Sequence, residues 1–178
     1  MSPTQKSLLA CTLFSLFGVI GWFYDGTMGG ILLPLVLYYV VLVTNTFFSV
    51  RTFSAITPNN PIQLTFDVLL VFVYLWLAAS FASVVMFSWA SLGLFLIAVA
   101  KYVHLSGIIP PPPLLQKKIR INALSALLCA SALVASALGF DYIAAWGLFL
   151  LFALANIYLL LINPMYRTNE RPDARSSE

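Results

Sequence analysis

The apolar residues of this chain fall in long runs, from Ser7 to Trp22, Ile31 to Val50, Ile62 to Leu105, Ile119 to Leu138 and Tyr142 to Ile162. The runs are rich in Leu, Ala and Val and lack every-second-residue alternation, so they read as helices and not as strands of a membrane barrel. About 20 apolar residues carry a helix across a bilayer. The run from Ile62 to Leu105, in which only Asp67 and Lys101 are charged, is long enough for two crossings. Ser88-Trp89-Ala90-Ser91 is the expected break, with Ser88 able to cap a new helix and Trp89 suited to an interface. The pattern predicts an all-α, polytopic transmembrane helix bundle over residues 1–166, with six spans (alternative five, if that run is one helix). The polar, mixed-charge tail, residues 167–178, reads as disordered.

Turn chemistry punctuates these runs. Asp25-Gly26 and Gly29-Gly30 permit a short hairpin after the first span, and Pro34 sits in the first turn of the second, where a missing N–H costs little. Asn60-Pro61-Ile62-Gln63 offers an N-cap, a proline at the first helical position and a Gln placed for a capping box. Gly107 and the run Pro110 to Pro113 stop the fourth helix and predict a stiff extended spacer. Gly139-Phe140-Asp141 predicts a glycine stop followed by an Asp N-cap, so that the last two spans form a tight helical hairpin ended by Asn163-Pro164. Lys6 before an apolar run imitates a secretory signal. Gly18-Val19-Ile20-Gly21-Trp22 lacks a small-x-small cleavage pattern, which makes this an uncleaved first span.

Composition agrees with the pattern and adds an orientation. Hydrophobic residues make up 61% and charged residues 8%, against about a quarter charged in soluble domains. Under the six-span map every cation falls on one side: Lys6, Arg51, Lys101, Lys117, Lys118, Arg120, Arg167, Arg171 and Arg175. The positive-inside rule puts this face and both termini in the cytosol, in an inner or plasma membrane. Asp25 and Asp141 fall on the other side, with Trp22, Tyr24, Trp89, Tyr142 and Trp146 as an aromatic belt. A sequence pI near 9.0 thus reflects topology. It implies no nucleic-acid partner, since no basic domain with interleaved exposed aromatics is present.

Polar groups within the spans carry the candidate chemistry, because they are costly in hydrocarbon. Asn45, Asp67, Lys101, Asn122 and Asn156 all lie near the cytosolic ends of their spans and predict a polar cavity open to the cytosol, with Asp67 free to pair with Lys101. Arg51, Lys117, Lys118, Arg120 and Arg167 predict a basic cytosolic face. In the fifth span Ala123, Ala126, Ala130, Ala132 and Ser136 give small-xxx-small spacing, which suits close helix packing or a homo-oligomer face. Spans two to four, large and aromatic, are expected to face lipid, Leu94 among their residues. No GxSxG, HExxH or paired acidic motif occurs, and His104 is the sole histidine. Cys11 and Cys129 lie inside apolar runs, so neither a metal, a cofactor nor an enzyme activity is expected. The leading expectation is a non-enzymatic membrane component, an anchor, sensor or assembly subunit that docks a cytosolic or membrane protein through its basic face. The alternative is a small-solute transporter or channel subunit built around the polar cavity.

Overall fold

A computed structural model describes residues 2–25, 31–58, 60–109 and 113–162. The tail from 163 onward, the glycine turn 26–30 and prolines 110–112 lie outside the described residues. So do the expectations made for them: the first hairpin, the extended proline spacer, the Asn163-Pro164 stop, the disordered tail and the placement of Arg167.

Six helices make up the described chain: α1 (Pro3–Asp25), α2 (Leu32–Phe53), α3 (Pro61–Ala78), α4 (Val84–Ile108), α5 (Pro113–Ala137) and α6 (Asp141–Ile157), the last continued by a π-helical turn, Tyr158–Ile162. Each, with that turn included for α6, is long and apolar enough to cross a membrane. The chain is a six-span membrane bundle. Five spans are ruled out by a real break between α3 and α4, which falls at Ala79–Ser83 and not at Ser88–Ser91 as expected. At about 1.5 Å per residue, a helix running from Pro61 to Ser88 would outreach a hydrocarbon core of about 30 Å. Ser83 instead takes an extended conformation and its Oγ accepts a hydrogen bond from the Met86 N–H at 3.3 Å. Ser88 and Ser91 are fully buried within α4.

The other ends are set by local chemistry. Ser2 and Gln5 form a reciprocal capping box at α1, Ser2 N–H donating to Gln5 Oε1 at 2.9 Å and Gln5 N–H to Ser2 Oγ at 3.2 Å. At α3, Asn60 Oδ1 accepts from the Ile62 N–H at 2.9 Å and Pro61 takes the first helical position, as expected. Gln63 does not complete that box, because its side chain turns into the bundle and is 2% exposed. Gly139 has φ +87° and closes α5: its N–H donates to Ser136 O, and the Phe140 N–H to Ala135 O. This is the paired bonding of a Schellman stop, which needs the left-handed conformation that glycine adopts freely. Asp141 is the first residue of α6 and not its cap, and its carboxylate accepts from the Ser136 hydroxyl.

The helices close into a ring. α1 packs on α2, α2 on α6, α6 on α5, α5 on α4, α4 on α3, and α3 returns to α1, while α4 also reaches α6 across the middle. One end of the ring collects the starts of α1, α3 and α5 and the ends of α2, α4 and α6. Many aromatic residues of α2, α3 and α4 fill the interior, so these spans do not face lipid as a set, although Phe72, Trp76 and Trp89 are exposed. Tyr38, Phe81 and Phe87 are buried, Phe14 and Tyr74 stack at 3.9 Å, and Leu94 is 4% exposed. Lipid tails solvate Leu as well as a protein core does, so burial favours side chains with a polar tip to satisfy. Tyr39 Oη donates to Phe14 O at 2.9 Å, Tyr102 Oη pairs with Ser49 Oγ at 2.9 Å, and Tyr74 Oη pairs with Thr46 Oγ1. Several leucines of α5 and α6 take the outside, with Leu124, Leu127, Leu151 and Leu154 all exposed, while Leu115 and Leu148 are buried.

Candidate functional site

The aromatic filling stops short of the cationic end, and there the ring encloses a cavity of about 620 Å³. Five helices line it: α1 through Lys6, Ala10 and Phe14, α2 from Leu42 to Phe53, α3 from Gln63 to Tyr74, α4 from Leu94 to Tyr102, and α5 through Lys118 and Asn122. From Phe53 back to Leu42 is about 16 Å of helix rise, so the cavity reaches roughly to mid-bilayer. Its polar groups gather toward the mouth, among apolar wall residues such as Ala10, Leu70, Val71 and Ala98. Its floor is Phe14, Leu42, Tyr74, Leu94 and Phe95.

Four of the five polar residues singled out from sequence, Asn45, Asp67, Lys101 and Asn122, line this cavity together. Asp67 and Lys101 form an ion pair between α3 and α4, with the carboxylate 55% exposed at the mouth and the ammonium 13% exposed. Gln63 stands behind them: its Nε2 lies 2.9 Å from His104 Nδ1 and 3.5 Å from Lys101 O. His104 is thus tied to a buried amide and is only partly exposed. Asn156 is not brought to this cavity. It lines a separate, largely apolar cleft between α2 and α6, beside Thr44, Phe48 and Arg51, and its Nδ2 donates to Phe152 O of its own helix at 2.8 Å.

Sequence reasoning placed Lys118 with the basic face, and the structure turns it inward. Its side chain is withdrawn into the cavity wall, 4% exposed, one helical turn from Asn122 at 3%. Of the other cations of that face, Arg51 and Arg120 are exposed and Lys117 is partly exposed. The signal for Lys118 was present in the chain. Lys118, Asn122, Ala126, Cys129, Ala132 and Ser136 follow helical spacing, and all six are buried on the face of α5 that meets its neighbours. Within the small-residue set, Ala126, Ala132 and Ser136 are therefore interior, Ala130 is half-buried and Ala123 faces outward.

Three polar atoms of cavity-lining residues are buried with no hydrogen-bond partner among the described residues: Ser54 Oγ, Gln63 Oε1 and Asn122 Nδ2. Buried polar groups are nearly always satisfied by protein or by ordered water, so these atoms are open to a hydrogen bond from water or a solute. No group of three or more His, Cys, Asp or Glu side chains comes together among the described residues. The cavity's donors are ammoniums, amides and hydroxyls, which suit hydrogen bonding and charge recognition of a small molecule. No protein-family model, curated protein or solved structure matches the chain.

Proposed function

We propose that this protein is a non-enzymatic, solute-binding membrane protein that holds a small molecule in its polar cavity, with the cavity mouth and both termini on the cytosolic side. The observation that carries this reading is the cavity itself. A ring otherwise filled by aromatic packing leaves a space within the roughly 300–1,000 Å³ range of ligand sites, and buried, unsatisfied amide atoms border it. The orientation rests on the cations gathered at that end. Arg51 and Arg120, exposed at the same end of the ring, supply a surface through which occupancy is passed to a cytosolic or membrane partner, which makes the protein a sensor or receptor subunit.

The test is native mass spectrometry of the chain released gently from its own membrane, beside a thermal-shift screen of small metabolites in nanodiscs. The expected result is a bound small molecule at stoichiometric level, lost when Ala98→Phe narrows the cavity, and no solute flux in liposomes. The reading fails if wild-type protein carries nothing and no compound raises its unfolding temperature.

A further inference from the structure

We infer that the cleft between α2 and α6 is a lipid site, holding an acyl chain of one anionic phospholipid with its phosphate at Arg51. This goes beyond the solute-binding reading, since none of the described residues lining the cleft lines the central cavity. The cleft has a volume of about 920 Å³. One wall is a stripe of α2, Val40, Thr44, Phe48 and Arg51, spaced three or four residues apart and so on one face. The opposite wall is the matching stripe of α6, Ala153, Ile157 and Leu161. Leu161 belongs to the π-helical turn, an uncommon form often found at functional sites. From Val40 to Arg51 α2 rises about 16 Å, close to one leaflet's half of a hydrocarbon core of about 30 Å. The cleft therefore runs the depth of one leaflet.

Its chemistry changes along that length as a phospholipid's does. Thr4, Arg51 and Thr52 line the cationic end, and Arg51 is exposed there. Further in, the two polar residues turn their donors onto their own helices, Thr44 Oγ1 to Val40 O at 2.9 Å and Asn156 Nδ2 to Phe152 O at 2.8 Å. What remains for an occupant there is hydrocarbon contact. An exposed guanidinium with hydroxyls at the same end suits the oxygens of a phosphate, and basic residues at a membrane face attract anionic headgroups. A second copy of the chain fits the cleft less well. Copies inserted in the same orientation meet like end to like end, and a neighbour would bring its own Arg51, Lys117 and Arg120 toward this one, against a single described carboxylate at that end, Asp67. A headgroup held by Arg51 instead becomes part of the surface that this end of the ring presents.

The test is native mass spectrometry of the full chain, delipidated in detergent and titrated with phosphatidylglycerol or phosphatidylcholine of identical acyl chains. One phosphatidylglycerol per chain is expected to bind saturably, about fivefold more tightly than phosphatidylcholine, equivalent to roughly 1 kcal/mol for one basic residue at the headgroups. Arg51→Gln should erase the preference without lowering the unfolding temperature, and Arg51→Lys should keep part of it. Arg120→Gln, which removes an exposed cation at the same end but outside the cleft, should leave the preference intact, and so should Ala98→Phe in the central cavity. Ala153→Phe, which fills the cleft, should lower retention of both lipids. Equal retention of the two lipids, or an equal loss from Arg51→Gln and Arg120→Gln, overturns the assignment of the headgroup to Arg51. Retention of neither lipid overturns the lipid site, and a dimer that Ala153→Phe dissociates gives the cleft to a second copy instead. None of these outcomes bears on the solute-binding reading, whose own test is separate.

Discussion

Gly21 sets how closely α1 approaches α3, and the effect of adding one methyl group there can be worked out from the structure. A Cβ built on Gly21 overlaps the Ala78 carbonyl oxygen, lies 2.7 Å from its carbon and 3.2 Å from Phe81 Cε2. Non-bonded carbons rest at roughly 3.5–4.0 Å, so α1 and α3 must part by about 1 Å to admit it. Neither neighbour can swing aside, because one is backbone and the other is a ring 1% exposed. Over-packing of this kind costs about 1–3 kcal/mol, while replacing a helical glycine by alanine returns up to about 1 kcal/mol of propensity. Gly93→Ala isolates that second effect, since nothing lies within 4 Å of its added methyl. Both variants gain that propensity, so reversible unfolding in mixed micelles should place Gly21→Ala about 1–3 kcal/mol below Gly93→Ala. Because α1 carries Lys6, Ala10 and Phe14 of the cavity wall, ligand affinity should fall with it. If the two variants unfold alike, close approach at this seam is not what positions α1.

The Asp67–Lys101 pair should show a coupling of at most about 1 kcal/mol in a double-mutant cycle, given its exposed carboxylate, with the reversed pair Asp67→Lys, Lys101→Asp regaining part of each single loss; a coupling of zero removes the pair from the site. Ala126→Leu should lower stability by about 1–3 kcal/mol through over-packing, whereas Ala123→Leu, which faces outward, should change it little; equal effects would refute the interior placement of this face. For topology, in a background without native cysteines, Phe140→Cys should react with an impermeant maleimide added outside intact cells, and Ser106→Cys should react only after permeabilisation. Labelling of Ser106→Cys from outside would invert the orientation.

The span count and most of the polar cavity were legible because both depend on where charged and polar residues sit along the chain, which hydrocarbon penalises strongly. What was not legible depends on which way a helix face turns. Bulk suggests lipid contact, yet Tyr38, Tyr39 and Tyr74 face inward because their hydroxyls must find partners. Sequence proximity groups Lys118 with Lys117 and Arg120, whereas its helical spacing to Asn122 and Ala126 points inward. Ser88 and Ser83 are equally able to cap a helix, and only the length of α3 separates them. Small residues drew attention to α5, while the tightest backbone approach described here falls at Gly21, one of only two glycines in α1. Gln63 had the right spacing for a capping box, but a buried polar partner, His104 on another helix, outweighed a local bond to its own backbone.

The floor of the cavity bears on whether the protein holds its ligand or moves it. Passage across the membrane requires the aromatic half of the ring to open, which means separating the Phe14–Tyr74 stack and the groups bonded around it. Tyr39 Oη would leave Phe14 O, Tyr74 Oη would leave Thr46, and Tyr38 Oη would leave Cys129 Sγ, from which it stands 3.8 Å. Each buried polar group stripped of its partner costs about 1–3 kcal/mol, so three together come to several kcal/mol before any loss of packing is counted. About 4 kcal/mol already confines an open state to roughly one molecule in a thousand. A ligand shifts that equilibrium only by the difference between its affinities for the two states, and the contacts that Asn45, Asp67, Lys101 and Asn122 offer lie on the mouth side of the floor in the closed ring. Those contacts favour the state that already exists. A one-sided cavity above a bonded aromatic plug accordingly supports the proposal that the protein holds a solute, and transport would need a partner that supplies the energy to break the plug.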